Sequence, residues 1–153
     1  MSNKRKKLLE EERFIVKVDR ELSLSQSDLW NWLTKPELTG QWIGPWQAVD
    51  EENLQITLIQ EEGSPTFPAK ILEFNEPFGY TLELGGMGVP WVILVTVAPA
   101  RKGNSLFSII QTLEFEEAVP ATQAGWEFYA DCLIAAIEGR AMPRFETYWQ
   151  SEQ

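Results

Sequence analysis

Between Thr122 and Gly139 the chain reads TQAGWEFYADCLIAAIEG, and no other stretch restricts its fold as much. Trp126, Tyr129, Ala130, Leu133, Ile134 and Ile137 return at intervals of three and four, which sets them on one side of an α-helix. Thr122 is placed to cap the start, and Gly139 to end the last turn. At about 1.5 Å per residue such a helix runs roughly 25 Å, enough to cross a small domain. Cys132, Ala135 and Ala136 make its other sides too apolar for an ordinary surface helix, so it is expected to lie largely enclosed. Gly125 predicts a close approach to the packing partner, with the Trp126 indole wedged between.

The rest of the chain supplies mostly strands. Phe14, Val16 and Val18 alternate with Lys17 and Asp19, as in a half-buried strand. From Leu24 to Leu33 the period changes to that of a short helix. Ser25 and Asp28 have capping-box spacing, Leu24 and Leu29 are placed as a hydrophobic staple, and Leu29, Trp30 and Leu33 form the buried stripe. Pro36 opens a second short helix that Gly40 breaks. Trp46 to Leu113 then reads as an antiparallel meander of five or six strands. Its turns are Glu62-Gly63-Ser64-Pro65, Asn75-Glu76-Pro77, Gly85-Gly86-Met87-Gly88 and Arg101-Lys102-Gly103-Asn104. Trp91 to Val97 is apolar on both parities, which predicts a central strand covered on both faces, and Leu106 to Phe115 is the last strand. A shorter helical or irregular tail runs from Pro143 to Trp149. A curved sheet must bury its concave face, and the C-terminal helix is the element long and apolar enough to fill it. The order therefore predicts an α+β helix-grip fold: a curved antiparallel β-sheet wrapped around a long C-terminal α-helix, with two short helices after the first strand. Residues 1–9 read as a flexible basic tail and 10–153 as a single domain.

Charge narrows the function classes. The 153 residues carry a formal net charge of −10, yet Lys4, Arg5, Lys6 and Lys7 hold four of the thirteen basic residues. From residue 8 onward nine basic residues face twenty-three acidic ones, a net of −14 that repels a phosphate backbone, so nucleic acid is excluded as a partner of the folded part. No apolar run reaches the length of a membrane span, which predicts no membrane insertion. A single cysteine, Cys132, fits a reducing, cytoplasmic setting and is expected to be an inert core residue. Histidine is absent from the chain, which removes a Ser-His-Asp or Cys-His nucleophile system and the commonest metal ligand, so no metal and no cofactor are expected. Gly85-Gly86-Met87-Gly88 lacks the lysine and hydroxyl residue of a phosphate loop. Glu114, Glu116 and Glu117, like Asp50-Glu51-Glu52, read as solvated carboxylates rather than an acid–base pair.

Three stretches resemble the START-like (SRPBCC) superfamily, and within it the family of the C-terminal domain of heat-shock-protein-ninety ATPase activators. They are Leu29-Trp30-Asn31-Trp32-Leu33-Thr34-Lys35-Pro36-Glu37-Leu38 with Trp42, then Ala69-Lys70-Ile71-Leu72-Glu73-Phe74-Asn75-Glu76-Pro77-Phe78-Gly79-Tyr80, then Gly125-Trp126. They occur in the family's order and span about residues 14 to 139. The resemblance implies a helix-grip fold with a cavity between sheet and long helix, used in the superfamily for lipids, polyketides and other apolar ligands or for cyclase chemistry, and in other members replaced by binding to a chaperone. A chaperone-binding N-terminal domain of the eukaryotic activators is not recognisable, which points to a stand-alone domain.

Seven tryptophans are many for this length. Trp42, Trp46, Tyr80, Trp91, Trp126 and Tyr129, with Leu133, are the candidate walls of a cavity for a small hydrophobic ligand. In it the indole N–H and phenol O–H groups could orient what is bound. The alternative is that these side chains fill the space completely. A chaperone-linked interaction protein is the second reading, since the acidic body could meet a basic surface. A third is cyclase-like or hydrolytic catalysis by a carboxylate, Tyr80 or Tyr129 with a burial-shifted pKa.

Overall fold

A computed structural model describes residues 14–86 and 90–149. The basic run Lys4–Lys7, the tail 1–9 and the turn residues Met87 and Gly88 lie outside the described residues. Among the described residues, seven strands form one sheet in the order β1-β7-β6-β5-β4-β3-β2, every neighbouring pair antiparallel. They are β1 (Phe14–Leu22), β2 (Trp46–Ala48), β3 (Asn53–Thr57), β4 (Thr66–Asn75), β5 (Gly79–Leu84), β6 (Trp91–Pro99) and β7 (Ser105–Leu113). Two short helices, α1 (Gln26–Thr34) and α2 (Pro36–Thr39), follow β1, and the long helix α3 (Val119–Glu138) follows β7. The architecture is the helix-grip fold.

Strand alternation places one parity of each strand against the helix. Val16 and Val18 on β1, Leu54 and Ile56 on β3, Leu82 and Leu84 on β5, Ile93, Val95 and Val97 on β6 and Phe107 and Ile109 on β7 are all buried. Most of them join the buried face of α3, Phe128, Tyr129, Ala130, Cys132 and Leu133, in one core. β4 bends where its register with β5 shifts between Ile71 and Glu73, a bulge that turns Leu72 outward and increases the local twist. After α2, Gly44 lies with its α-carbon against Thr57: a Cβ there would fall 1.4 Å from the Thr57 carbonyl oxygen. Only glycine permits that approach, which seats the loop carrying Trp42 and Ile43 beside β3.

Local signals explain the helix ends. The Ser25 side chain accepts a hydrogen bond from the Asp28 amide at 3.2 Å and caps α1. Gly139 closes α3 in the left-handed region at φ 70°. The helix start differs from expectation. α3 begins at Val119 with Ala118 as the flanking residue, and Pro120 sits inside the first turn, where its missing N–H costs nothing. Two further expectations are corrected. β7 ends at Leu113, and Phe115 beyond it is exposed, because the chain turns there into the short helical turn Glu116–Ala118. β6 is interior in strand order but covered on one face: Ile93, Val95 and Val97 are buried while Val92 lies in the open, because the second face has no layer over it among the described residues.

Candidate functional site

Between the concave sheet and α3 lies a cavity of about 590 Å³. The sheet contributes Ile56, Leu82, Leu84, Ile93, Val95, Phe107 and Ile109, each pointing inward by its place in the alternation. α3 contributes Ala121, Thr122, Gly125, Trp126, Phe128 and Tyr129. The β3–β4 connection adds Leu58, Gln60, Glu61 and Glu62, and the C-terminal turn Phe145–Thr147 adds Phe145 and Glu146. That turn is held down by Asp131 on α3, which accepts the Tyr148 hydroxyl at 2.7 Å and the Arg20 guanidinium of β1 at 3.1 Å. Phe128 packs edge-on against Phe145 and Tyr148 at centroid separations of 5.5 and 5.7 Å.

Trp42, Trp46, Tyr80, Trp91, Trp126 and Tyr129 all line this space. Leu133 does not: it is fully buried in the core one turn beyond Tyr129. Trp46 meets Tyr80 edge-on at 4.9 Å, and Trp126 lies 5.9 Å from Tyr129, while Trp91 is 37 % exposed. Gly125 overturns its expected role. A Cβ there would meet no heavy atom within 4 Å, so the missing side chain leaves open space in the cavity rather than allowing a close approach. The Trp126 indole does reach the sheet, its Nε1–H donating to Gln111 Oε1 on β7 at 2.7 Å.

The polar tips of four of these aromatics, Trp42, Tyr80, Trp126 and Tyr129, are hydrogen-bonded within the protein. The Tyr80 hydroxyl donates to the Leu33 carbonyl at 3.0 Å, the Trp42 indole to the Trp32 carbonyl at 2.9 Å, and the Tyr129 hydroxyl to Glu61 Oε2 at 2.8 Å. The donors of these four groups are thus taken up within the chain. Each one, buried at folding, needed a partner and found it in the chain. Burial holds the Tyr80 phenol well above its ordinary value. Burial first, and then the neighbouring Glu61 charge and hydrogen bond, does the same to Tyr129. Both phenols stay protonated at neutral pH, and neither can act as a base. The Cys132 thiol is buried in the core and pushed up to about 12 by that burial, so it holds its proton too.

Three residues that matter here escaped the sequence reading. Glu61 and Asp131 gave no signal, since nothing local distinguishes them from other acidic residues. Gln111 did leave a trace: it occupies an inward position in the run Phe107, Ile109, Gln111, Leu113, a polar residue on an apolar parity. It is 1 % exposed and its Nε2 has no hydrogen-bond partner among the described residues. No group of three or more histidine, cysteine or carboxylate side chains able to hold a metal occurs among the described residues, and no described helix is long and apolar enough to cross a membrane.

No protein-family model matches the chain, and no curated protein matches it significantly. Solved structures do share its shape. DynU16, encoded in the dynemicin biosynthetic locus, is 16% identical with a TM-score of 0.72, over 82% of this chain and 48% of that one. Protein MLL2253 from Mesorhizobium loti is 16% identical with a TM-score of 0.69, over 84% and 99%. CalU16 from Micromonospora echinospora is 16% identical with a TM-score of 0.66, over 82% and 85%. At such identity the likeness is one of fold, and in fold the chain is similar to all three.

Proposed function

We propose that this protein is a non-enzymatic binding protein that holds a small hydrophobic ligand between its sheet and its C-terminal helix. The observation that carries the reading is the cavity of about 590 Å³ with aromatic and aliphatic walls, a size and lining suited to an apolar molecule. An unfilled apolar space of this volume removes packing contacts from the core, so a ligand that occupies it restores them. The START-like resemblance agrees with this use of the space. N-phenylnaphthylamine, a neutral dye that brightens in apolar surroundings, tests the reading. Saturable binding at one site is expected in the parent, and its loss in Gly125→Leu, whose side chain would occupy the open space above a Cβ that meets no heavy atom within 4 Å. Absence of saturable binding in the parent would overturn the proposal.

Interaction with a chaperone is the second reading, supported by the resemblance to the heat-shock-protein ATPase activators and by the acidic charge of the chain. A pull-down from the cell extract at low and high salt decides it, and recovery of no chaperone at either salt rejects it. Catalysis has less support, because the two cavity phenols are held protonated and the chain has no histidine.

A further inference from the structure

We infer that the ligand's polar end is an amine rather than an acid; this rests on the binding function proposed above and adds the charge class of what is bound. The cavity defines the site, and its charged lining has a single sign. Glu61, Glu62 and Glu146 border it, and no lysine or arginine among the described residues does. Glu146 has Arg144 near it at 3.5 Å, with both side chains largely in solvent, whereas Glu61 and Glu62 have no basic partner among the described residues. The first turn of α3 also borders the cavity and would favour an anion by its dipole, but Glu116 and Glu117 directly precede it and offset that field.

An acid is poorly matched to the charged groups that border this space, all of which are carboxylates among the described residues. The donors of Trp42, Tyr80 and Trp126 are already given to Trp32, Leu33 and Gln111 respectively, so these three offer nothing to a buried carboxylate. Nearer the solvent it would meet carboxylates. An ammonium on an apolar body is matched at both ends. The hydrocarbon takes the depth, and the cation meets the Glu61 carboxylate, which the Tyr129 hydroxyl fixes through Oε2 while Oε1 remains to accept. The aromatic rings of Tyr129 and Trp126 beside it add the attraction of π-faces for a cation.

Displacement of N-phenylnaphthylamine by decylamine, decanol and decanoate at neutral pH tests this with one hydrocarbon chain and three charges. Decylammonium should displace the dye at a concentration about tenfold below that of decanoate, with decanol between, the scale of a few partly exposed charge interactions. The exposed pair Glu61→Gln/Glu62→Gln should bring the three near parity. Glu51→Gln/Glu52→Gln removes the same net charge away from the cavity and should leave the order intact. If the dye binds and decanoate competes as well as decylamine, the inference fails and the binding function stands. It fails equally if both double variants behave alike, since the amine is then held by the acidic body at large. If the dye does not bind the parent at all, the binding function itself is overturned.

Discussion

Trp126 is tied to the sheet through a single acceptor. Gln111 Oε1 takes the indole N–H, and the other half of that buried amide has no partner among the described residues. Trp126→Phe keeps an aromatic ring against Tyr129 but leaves the whole amide unsatisfied, which should cost about 1–3 kcal/mol in urea unfolding. A change within about 0.5 kcal/mol, the range of ordinary surface substitutions, would mean that water serves Gln111 already. At this scale the sequence was partly legible. Residue type and helical spacing set Trp126 and Tyr129 on one side of the helix, and both line the cavity. Where each polar tip points could not be read, because the partner carbonyls of Leu33 and Trp32 lie on a neighbouring helix whose position only the packed structure sets.

Two glycines of one helix carry opposite expectations. Gly125 lies within α3 in ordinary helical conformation with open space over it, so Gly125→Ala removes backbone freedom from the unfolded chain and should stabilise by about 0.5–1 kcal/mol. Gly139 ends the same helix in the left-handed region, where a side chain is strained, so Gly139→Ala should destabilise by about 1 kcal/mol. Thermal unfolding of the two variants in parallel checks both signs, and a fall in melting temperature for Gly125→Ala would show that the space above it is closed. The existence and type of α1, α3 and the strands were legible from periodicity, and those of α2 from Pro36 and Gly40. Element limits were less so. Thr122 resembles a cap, yet the helix runs back past Pro120 to Val119 and Thr122 borders the cavity, because proline is tolerated within a first turn.

For the whole molecule, the order of elements was enough to read the helix-grip fold, since a long apolar helix and a meander of short-turned strands leave few other ways to bury both. The open volume was not legible, because a cavity is a small difference between wall positions that no residue records. All three tyrosines have phenols held above their ordinary value by burial, that of Tyr148 at about 12. The unfolded chain gives up these protons near about pH 10, and the folded chain keeps them. Their contribution to stability is therefore whole below about pH 10 and is lost as pH rises through the folded values. Alkaline unfolding should begin above about pH 10, with tyrosinate absorbance appearing together with loss of helix; absorbance that rises near 10 while the fold persists would contradict it. The pairing of β1 with β7 has a further consequence. The first described strand finds its neighbour in the last, Phe14 against Leu113 and Leu22 against Ser105. As the chain leaves the ribosome, β2 to β7 can zip in the order of their synthesis, while β1 waits with its hydrogen-bonding groups unmatched until β7 emerges. Closing that long loop is an entropic toll collected late, so β1 docking is expected to follow the meander and to slow completion of the fold.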